Sequence, residues 1–283
     1  MSKNLFLSVG AMKAGTTWLY DKLKDHPEIY FSPEKELHFF AHQYGIGEPL
    51  SIERRKRRAA AVLSRTLGAK GVKPGNRHLL DWYLDYVGGE VSYDWFRRLM
   101  DGGIQKEQFI ADFSNLTCFL DESAWKDIQE KFDNVKVIYI ARDPIKRVWS
   151  HYKFHLQYVK HLDAGAPDKN FVLFERILSK GFFIRNARYS ATIERLQRVL
   201  GHDSFKLLYF EDMISQPLKF LADVEKFAGL AAYSYPVDGI SEKKNASLEV
   251  SMPAEWREYA AEVLSNEIKM LKKMEIWHGS WSA

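Results

Sequence analysis

Short apolar runs alternate along this chain with longer stretches in which apolar residues return every three or four positions. Leu5-Phe6-Leu7-Ser8-Val9, Ile29-Tyr30-Phe31, Gln108-Phe109-Ile110-Ala111-Asp112 and Phe205-Lys206-Leu207-Leu208-Tyr209-Phe210 have the length and composition of strands, and Val137-Ile138-Tyr139-Ile140-Ala141 has the apolar character of a buried parallel strand. Helical spacing is read over residues 17–24, with Leu19 and Leu23 on one face, over 52–67, from Tyr93 to Met100, over 125–132, 148–158 and 171–178. It continues over 185–200 with Tyr189, Ile193, Leu196 and Leu200, then through Phe220, Val224, Phe227 and Ala228. After Pro253 the residues Ala260, Leu264, Ile268 and Leu271 mark one last helix. Strands and helices in alternation predict an α/β fold, a central mostly parallel sheet flanked by helices.

The first strand ends in Gly10-Ala11-Met12-Lys13-Ala14-Gly15-Thr16-Thr17-Trp18, which turns and re-enters a helix. Gly10 and Gly15 permit a tight loop with inward N–H groups, the helix opening at Thr16 and Thr17 presents unpaired amides, and Lys13 adds a full charge. The chemistry implied is phosphate or sulfate binding, although such residues also make plain turns and N-caps. The nucleotide-triphosphatase loop places its lysine directly before the Ser/Thr, whereas here Gly15 holds that place, which weighs against an ATPase or GTPase. The fourth strand ends in Arg142-Asp143-Pro144, where Asp143 caps and Pro144 starts a helix carrying Arg147 and Ser150. Arg142 and Ser150 can supply a charged fork and a hydroxyl to one phosphate.

Gly10 to Thr17, then His26-Pro27, Lys35-Glu36-Leu37-His38-Phe39-Phe40, and Arg142 to Ser150 together resemble the sulfotransferases that use 3'-phosphoadenosine 5'-phosphosulfate (PAPS), in particular the glycan and heparan type and related bacterial enzymes. The resemblance spans nearly the whole chain and is weakest over 41–103. It implies a P-loop-like three-layer α/β fold in a single sulfotransferase domain over 1–283, with 41–103 a variable basic insertion that could cover the acceptor site. It further implies sulfuryl transfer from PAPS to an acceptor hydroxyl, ahead of an amine, giving adenosine 3',5'-bisphosphate (PAP) without a metal. By resemblance the donor is held by Lys13, Ala14, Gly15, Thr16, Thr17 and Trp18, the 3'-phosphate by Arg142 and Ser150, and further contacts come from Tyr189 and from Lys243 or Lys244. Glu36 is the implied general base, with His38 the alternative, and Lys13 the residue that stabilises charge at the 5'-phosphate. Glu36, His38, Trp95 and Ser114 are the acceptor-side candidates. Asp112 and Ser114 fit the acid and serine of the family's Gly-Glu-x-Ser-Pro-x-Tyr element, whose proline and tyrosine are absent here. An ATP-dependent small-molecule kinase and a non-catalytic nucleotide-binding scaffold are the rival readings.

With 283 residues, 46% of them hydrophobic, the chain can bury a sizeable core. Its one cysteine, Cys118, excludes an internal disulfide and, beside Phe119 and Leu120, reads as a buried small side chain. His151, His155 and His161 lack the companions that a metal site requires at ligand spacing. Met1-Ser2-Lys3-Asn4 leads directly into the first strand, from which a cytoplasmic protein without signal or anchor is expected. The net charge of +4 is uneven: residues 51–80 hold nine basic side chains against Glu53, a net +8 that leaves −4 elsewhere. Arg54-Arg55-Lys56-Arg57-Arg58 reads as a solvated helix or as a surface for an acidic substrate or carrier. No aromatic residue interrupts that run, so nucleic acid is not expected. The expected partner is a small-molecule, lipid, carbohydrate or carrier-bound acceptor, and the tail of the last helix packs on the core or on a second subunit, as in a homodimer.

Overall fold

The five apolar runs form one parallel sheet in the computed structural model, which describes residues 4–67, 77–101, 109–159, 167–236, 238–240 and 250–282. Strands β1 (Asn4–Ser8), β2 (Ile29–Phe31), β3 (Phe109–Asp112), β4 (Asn134–Ala141) and β5 (Phe205–Tyr209) stand in the order β2-β3-β1-β4-β5. Leu5 of β1 is in register with Ile110 on one side and Val135 on the other, and Ala141 of β4 with Tyr209. Leu5, Phe6 and Leu7 are wholly buried, as a central parallel strand requires. Chain order reverses on either side of β1, so the crevice beyond the carboxyl ends of β1 and β4 is the topological switch point where open α/β sheets bind ligands.

Helices α1 (Thr16–Leu23) and α2 (Phe39–Gln43) precede three helices, α3 (Ile52–Leu67), α4 (Arg77–Val87) and α5 (Tyr93–Asp101). These helices are joined to the body by aromatic packing: Phe39 stacks on Phe96 at 4.4 Å, and Phe96 meets Phe132 edge-on at 6.4 Å. The basic run is only partly solvated. Arg55 is buried and donates to the carbonyls of Leu50, Tyr86, Val87, Gly88 and Gly89, closing the carboxyl end of α4, where a cation meets the helix dipole. Arg54, Lys56 and Arg57 remain exposed.

Helix α6 (Glu122–Lys131) joins β3 to β4, and α7 (Pro144–Phe154) follows β4. Helix α7 ends sooner than its periodicity predicts, in a single π turn over His155–Val159. Next come α8 (Phe171–Leu178), α9 (Gly181–Ala187) and α10 (Tyr189–Ser204), then α11 (Phe210–Ser215) and α12 (Pro217–Ala228) after β5. The helix expected over 185–200 is broken: Arg188, at φ −88 and ψ 85, separates α9 from α10. The expected last helix is likewise two, α13 (Ala254–Val263) and α14 (Ser265–Lys273), which meet at Leu264. The break lets one apolar stripe serve two cores. Ala260, Leu264 and Ile268 pack with Trp149, Tyr152 and Phe174 in a satellite cluster, while Leu271 joins the cluster around the sheet. Cys118 is buried and its thiol is pushed up to about 12 by that burial, which leaves it inert. Among the described residues no helix is long and apolar enough to cross a membrane.

Candidate active site

Pairing of β1 with β4 continues beyond the strands and fixes the start of the loop over 10–15. The Ala11 N–H donates to the Ile140 carbonyl at 2.8 Å, and the Ile140 N–H to the Gly10 carbonyl at 2.8 Å. A Cβ at Gly10 would stand 2.8 Å from the Tyr139 ring, and one at Gly15, whose φ is +88°, would stand 2.3 Å from the Met213 methyl. Only glycine fits either place. No side chain caps α1 and its first turn holds no acid, so its leading N–H groups and the positive end of its dipole face the loop. Lys13 has a φ of 69°, rare for a residue with a Cβ, and its carbonyl accepts Arg142 Nη1 at 2.8 Å.

Arg142 owes its aim to the turn that follows it. Asp143 accepts from the N–H groups of Ile145 (2.9 Å) and Lys146 (3.1 Å), Glu211 accepts the Asp143 N–H (3.1 Å), and Pro144 opens α7. The Arg142 guanidinium lies 4.2 Å over the Phe210 ring, its Nε is buried without a hydrogen-bond partner, and among the described residues no carboxylate stands within ion-pair distance of it. One turn further, Arg147 is wholly buried and donates to His151 Nδ1 at 3.2 Å. A guanidinium can only donate, so the His151 proton sits on Nε2. Burial, reinforced by Arg147 and Lys13, pushes His151 down to about 2, and the ring is neutral. Ser150 lies buried on the same helix, and Lys13 Nζ rests 4.3 Å over the ring of Phe154.

Residues 34–38 cross in front of this loop. Lys35 Nζ donates to Thr17 Oγ1 at 2.7 Å and stands 3.4 Å from Glu36 Oε1, while Glu36 Oε2 is 3.4 Å from His38 Nε2. The backbone here is held from the end of β3: Asp112 Oδ1 accepts the Leu37 N–H at 3.2 Å and the Ser114 hydroxyl, and Ser114 Oγ accepts the His38 N–H at 2.8 Å. From α3 and α4, Arg58 donates to the Glu36 carbonyl at 3.3 Å and the Tyr83 hydroxyl to Glu34 at 2.6 Å. Burial works to raise the Glu36 pKa, but contact with His38 and the charge of Lys35 outweigh it and hold the carboxyl below its ordinary value. Glu36 is therefore ionised at neutral pH. Its side chain is 35% exposed against 8% for that of His38, so the carboxylate is the reachable member of the pair.

Burial, then the charges of Arg142 and Lys35, lower Lys13 to about 8, with Glu36 acting in the opposite sense. Lys13 thus stands in a field set more by its cationic neighbours than by Glu36, which favours an anionic ligand beside the loop. On the Phe154 ring that Lys13 covers, between the loop and α7 and α9, opens a cavity of about 310 Å³ with walls from Met12, His151, Phe154, His155, Lys180, Phe182 and Phe183. Among the described residues there is no group of three or more His, Cys, Asp or Glu placed to hold a metal ion.

A family described as the sulfotransferase family matches residues 6–234. The chain belongs to the sulfotransferase family. It is 25% identical to human carbohydrate sulfotransferase 15 over 86% of its own length and 46% of that protein's, so it spans about half the length of this curated relative. Its fold is similar to that of a crystal structure of a sulfotransferase from Alicyclobacillus acidocaldarius, with a TM-score of 0.62 at 20% identity, covering 97% of this chain and 96% of that one. It is also similar to the sulfotransferase domain of the Synechococcus PCC 7002 olefin synthase, with a TM-score of 0.50 at 18% identity, covering 93% and 94%.

In this sulfotransferase-family chain the structure brings together Lys13, Ala14, Gly15, Thr16, Thr17, Arg142, Glu36 and His38 at one edge of the sheet. Other candidates are placed differently. Trp95, read as a wall of the acceptor cleft, is fully buried against Phe39 and Tyr86 with its indole N–H on the Asp85 carbonyl. Trp18 packs edge-on to Phe220 and donates to the Ile240 carbonyl at 2.8 Å. Tyr189 is enclosed beside Tyr139, its hydroxyl without a partner among the described residues. Lys243 and Lys244 lie outside the described residues. Ser114 spends its hydroxyl on Asp112 and the His38 backbone, which makes it a positioning residue for residues 36–38. Ser114→Ala leaves the buried His38 N–H unpaired, and a destabilisation of about 1–3 kcal/mol is expected. Denaturant unfolding measures that loss; an unchanged midpoint would mean that water replaces the hydroxyl.

Three features escaped the sequence reading: the bridge from Lys35 to Thr17, the Arg147–His151 pair, and Phe154 beneath Lys13. Each joins residues by side-chain geometry that periodicity does not encode.

Proposed function

We propose that this chain transfers a sulfuryl group from PAPS to an acceptor hydroxyl, releasing PAP. The observation that carries the proposal is the juxtaposition of a half-buried guanidinium with no carboxylate partner among the described residues (Arg142), a desolvated ammonium (Lys13) and open helix amides with an ionised, reachable carboxylate (Glu36). The first three suit an anionic nucleotide and the fourth suits proton removal. Arg142 with Ser150 takes the 3'-phosphate, and Lys13 with the N–H groups of Gly15, Thr16 and Thr17 takes the 5'-phosphosulfate. PAPS supplies the sulfuryl group, whose bond to the 5'-phosphate oxygen breaks as the acceptor oxygen bonds to sulfur. Glu36 accepts the acceptor's proton, and Lys13 stabilises the charge left on the departing phosphate. His38, largely buried and turned onto Glu36, orients that carboxylate. The cavity on the Phe154 ring is the assigned acceptor site, and its aromatic walls favour a phenol or lipid alcohol over a free sugar.

Lys13 gives the reading a pH signature. Its pKa of about 8 in the free protein should rise when phosphate charge is bound, so binding takes up a proton above that pH. The affinity for PAP is expected to be highest below pH 8 and to fall by up to about tenfold per unit above it, as Lys13 loses its charge. Calorimetric titration of the parent and of Lys13→Met reads this directly. An identical high-pH slope in both would remove Lys13 as the titrating group.

The reading as a whole is tested by nucleotide selectivity. PAP should bind far more tightly than adenosine 5'-phosphate, and Arg142→Ala should erase most of the difference. Equal affinities in the parent would defeat the 3'-phosphate assignment, and turnover of ATP in place of PAPS would return the chain to the kinase reading.

A further inference from the structure

A second cavity, of about 620 Å³, opens on the other side of α9, lined in part by Phe119, Ser179, Arg185, Arg188, Thr192 and Arg195. Helix α9 divides the two spaces, giving Phe182 and Phe183 to the first and Arg185 to the second. Among the described residues no carboxylate lines the second cavity. Arg185 stacks its guanidinium 4.0 Å over the Phe119 ring, which leaves the edges of its planar fork open. Arg195 donates to the Cys118 carbonyl at 2.7 Å, and its Nε is buried with no hydrogen-bond partner. Among the described residues neither Arg185 nor Arg188 has a carboxylate partner. The nearby acids are committed elsewhere. Asp121 caps α6 by accepting the Ala124 N–H, Glu122 pairs with Arg198, and Glu267 closes the start of α10 by accepting from the Ser190 N–H and hydroxyl.

Arg185 and Arg188 are exposed and Arg195 is half-buried, so three guanidinium groups line one open recess, and their shared charge favours an anion there. Burial lowers the pKa of Arg195 and the charge of Arg185 acts in the same sense, against Cys118, Asp121 and Glu122, which act in the opposite one. We infer that this cavity is a second anion site, distinct from the donor loop, which takes a carboxylate, sulfate or phosphate group on its arginine forks. The ligand is either a free anion or an acid group carried by the acceptor that occupies the neighbouring cavity.

The test uses the full chain and inorganic sulfate at constant ionic strength. Titration in a Lys13→Ala/Arg142→Gln background removes the donor loop's own affinity; the otherwise unaltered chain saturated with PAP provides the same measurement should that background fold poorly. Saturable sulfate binding is expected, weakened roughly tenfold or more by Arg185→Gln/Arg188→Gln, since bonds to charged groups are lost. Arg54→Gln/Arg57→Gln, which removes the same charge from an exposed helix, should leave it unchanged. Equal affinity with and without the α9–α10 arginines, or equal loss in both double variants, would overturn the site. A second arm separates the two sources. If Arg185→Gln/Arg188→Gln raises KM for hydroxyaryl carboxylates and spares their neutral counterparts, the acid group belongs to the acceptor. If it spares both while sulfate affinity is lost, the site serves a free anion. The titration needs no turnover, so failure of the anion site and failure of the transfer reading are told apart.

Discussion

Glu36→Gln is expected to slow the chemical step by roughly 10²–10⁴-fold, the scale on which a positioned general base contributes. The amide keeps the shape of the carboxylate and can still meet Lys35, but it cannot receive a proton. The backbone of residues 36–38 should not move, because Asp112, Ser114 and Arg58 hold it through main-chain atoms. Donor affinity should therefore persist. His38→Ala is expected to have the smaller effect, since its ring is 8% exposed and turned onto Glu36. Single-turnover rates at saturating donor and acceptor separate the two variants. A normal Glu36→Gln rate beside a collapsed His38→Ala rate would transfer the role to the histidine, and normal rates in both would leave the site without this base.

Lys13→Ala should cost roughly 10²–10³ in turnover, comparable with the loss of one preorganised donor at a developing negative charge. Neighbouring cations cannot take its place: Arg142 is tied to the Lys13 carbonyl, and Lys35 to Thr17 and Glu36. The thermal midpoint should not fall with activity, because the lost ammonium is itself desolvated and faces Arg142 and Lys35 at a cost. Lys13→Gly should be the more stable variant, since the left-handed φ of 69° is strained for any residue with a Cβ. Undiminished turnover at saturating donor would remove Lys13 from the mechanism. A midpoint that dropped in step with activity would instead make it a structural residue.

Much of this arrangement is legible in the chain because its causes are local. A parallel strand covered on both faces must be an uninterrupted apolar run, so β1 and residues 137–141 of β4 announce themselves. Asp143-Pro144 starts a helix by cap and ring geometry alone, and α3 lies over residues 52–67 as its spacing predicts. The misreadings concern partners distant in sequence. Periodicity runs unbroken through Arg188 and Leu264, yet the chain bends at both, at the latter to divide one apolar stripe between two cores. Trp95 carries no sign of whether its ring faces a cleft or Phe39. Arg55 looks like its exposed neighbours, and only the carbonyls at the end of α4 single it out. At the site, residue types and order could be read from the sequence, but the support given to Glu36 by Asp112, Ser114 and Arg58 depends on the fold.

The most direct test of the proposed reaction is a mass-resolved assay in which the purified chain is given PAPS and a panel of phenols, lipid alcohols and sugars, with PAP quantified in the same samples. The account predicts a sulfated acceptor and PAP formed in equal amounts, both suppressed in Glu36→Gln, and no phosphorylated product when ATP replaces PAPS. Tight PAP binding with no sulfated product from any acceptor, or a phosphorylated product from ATP, would contradict it.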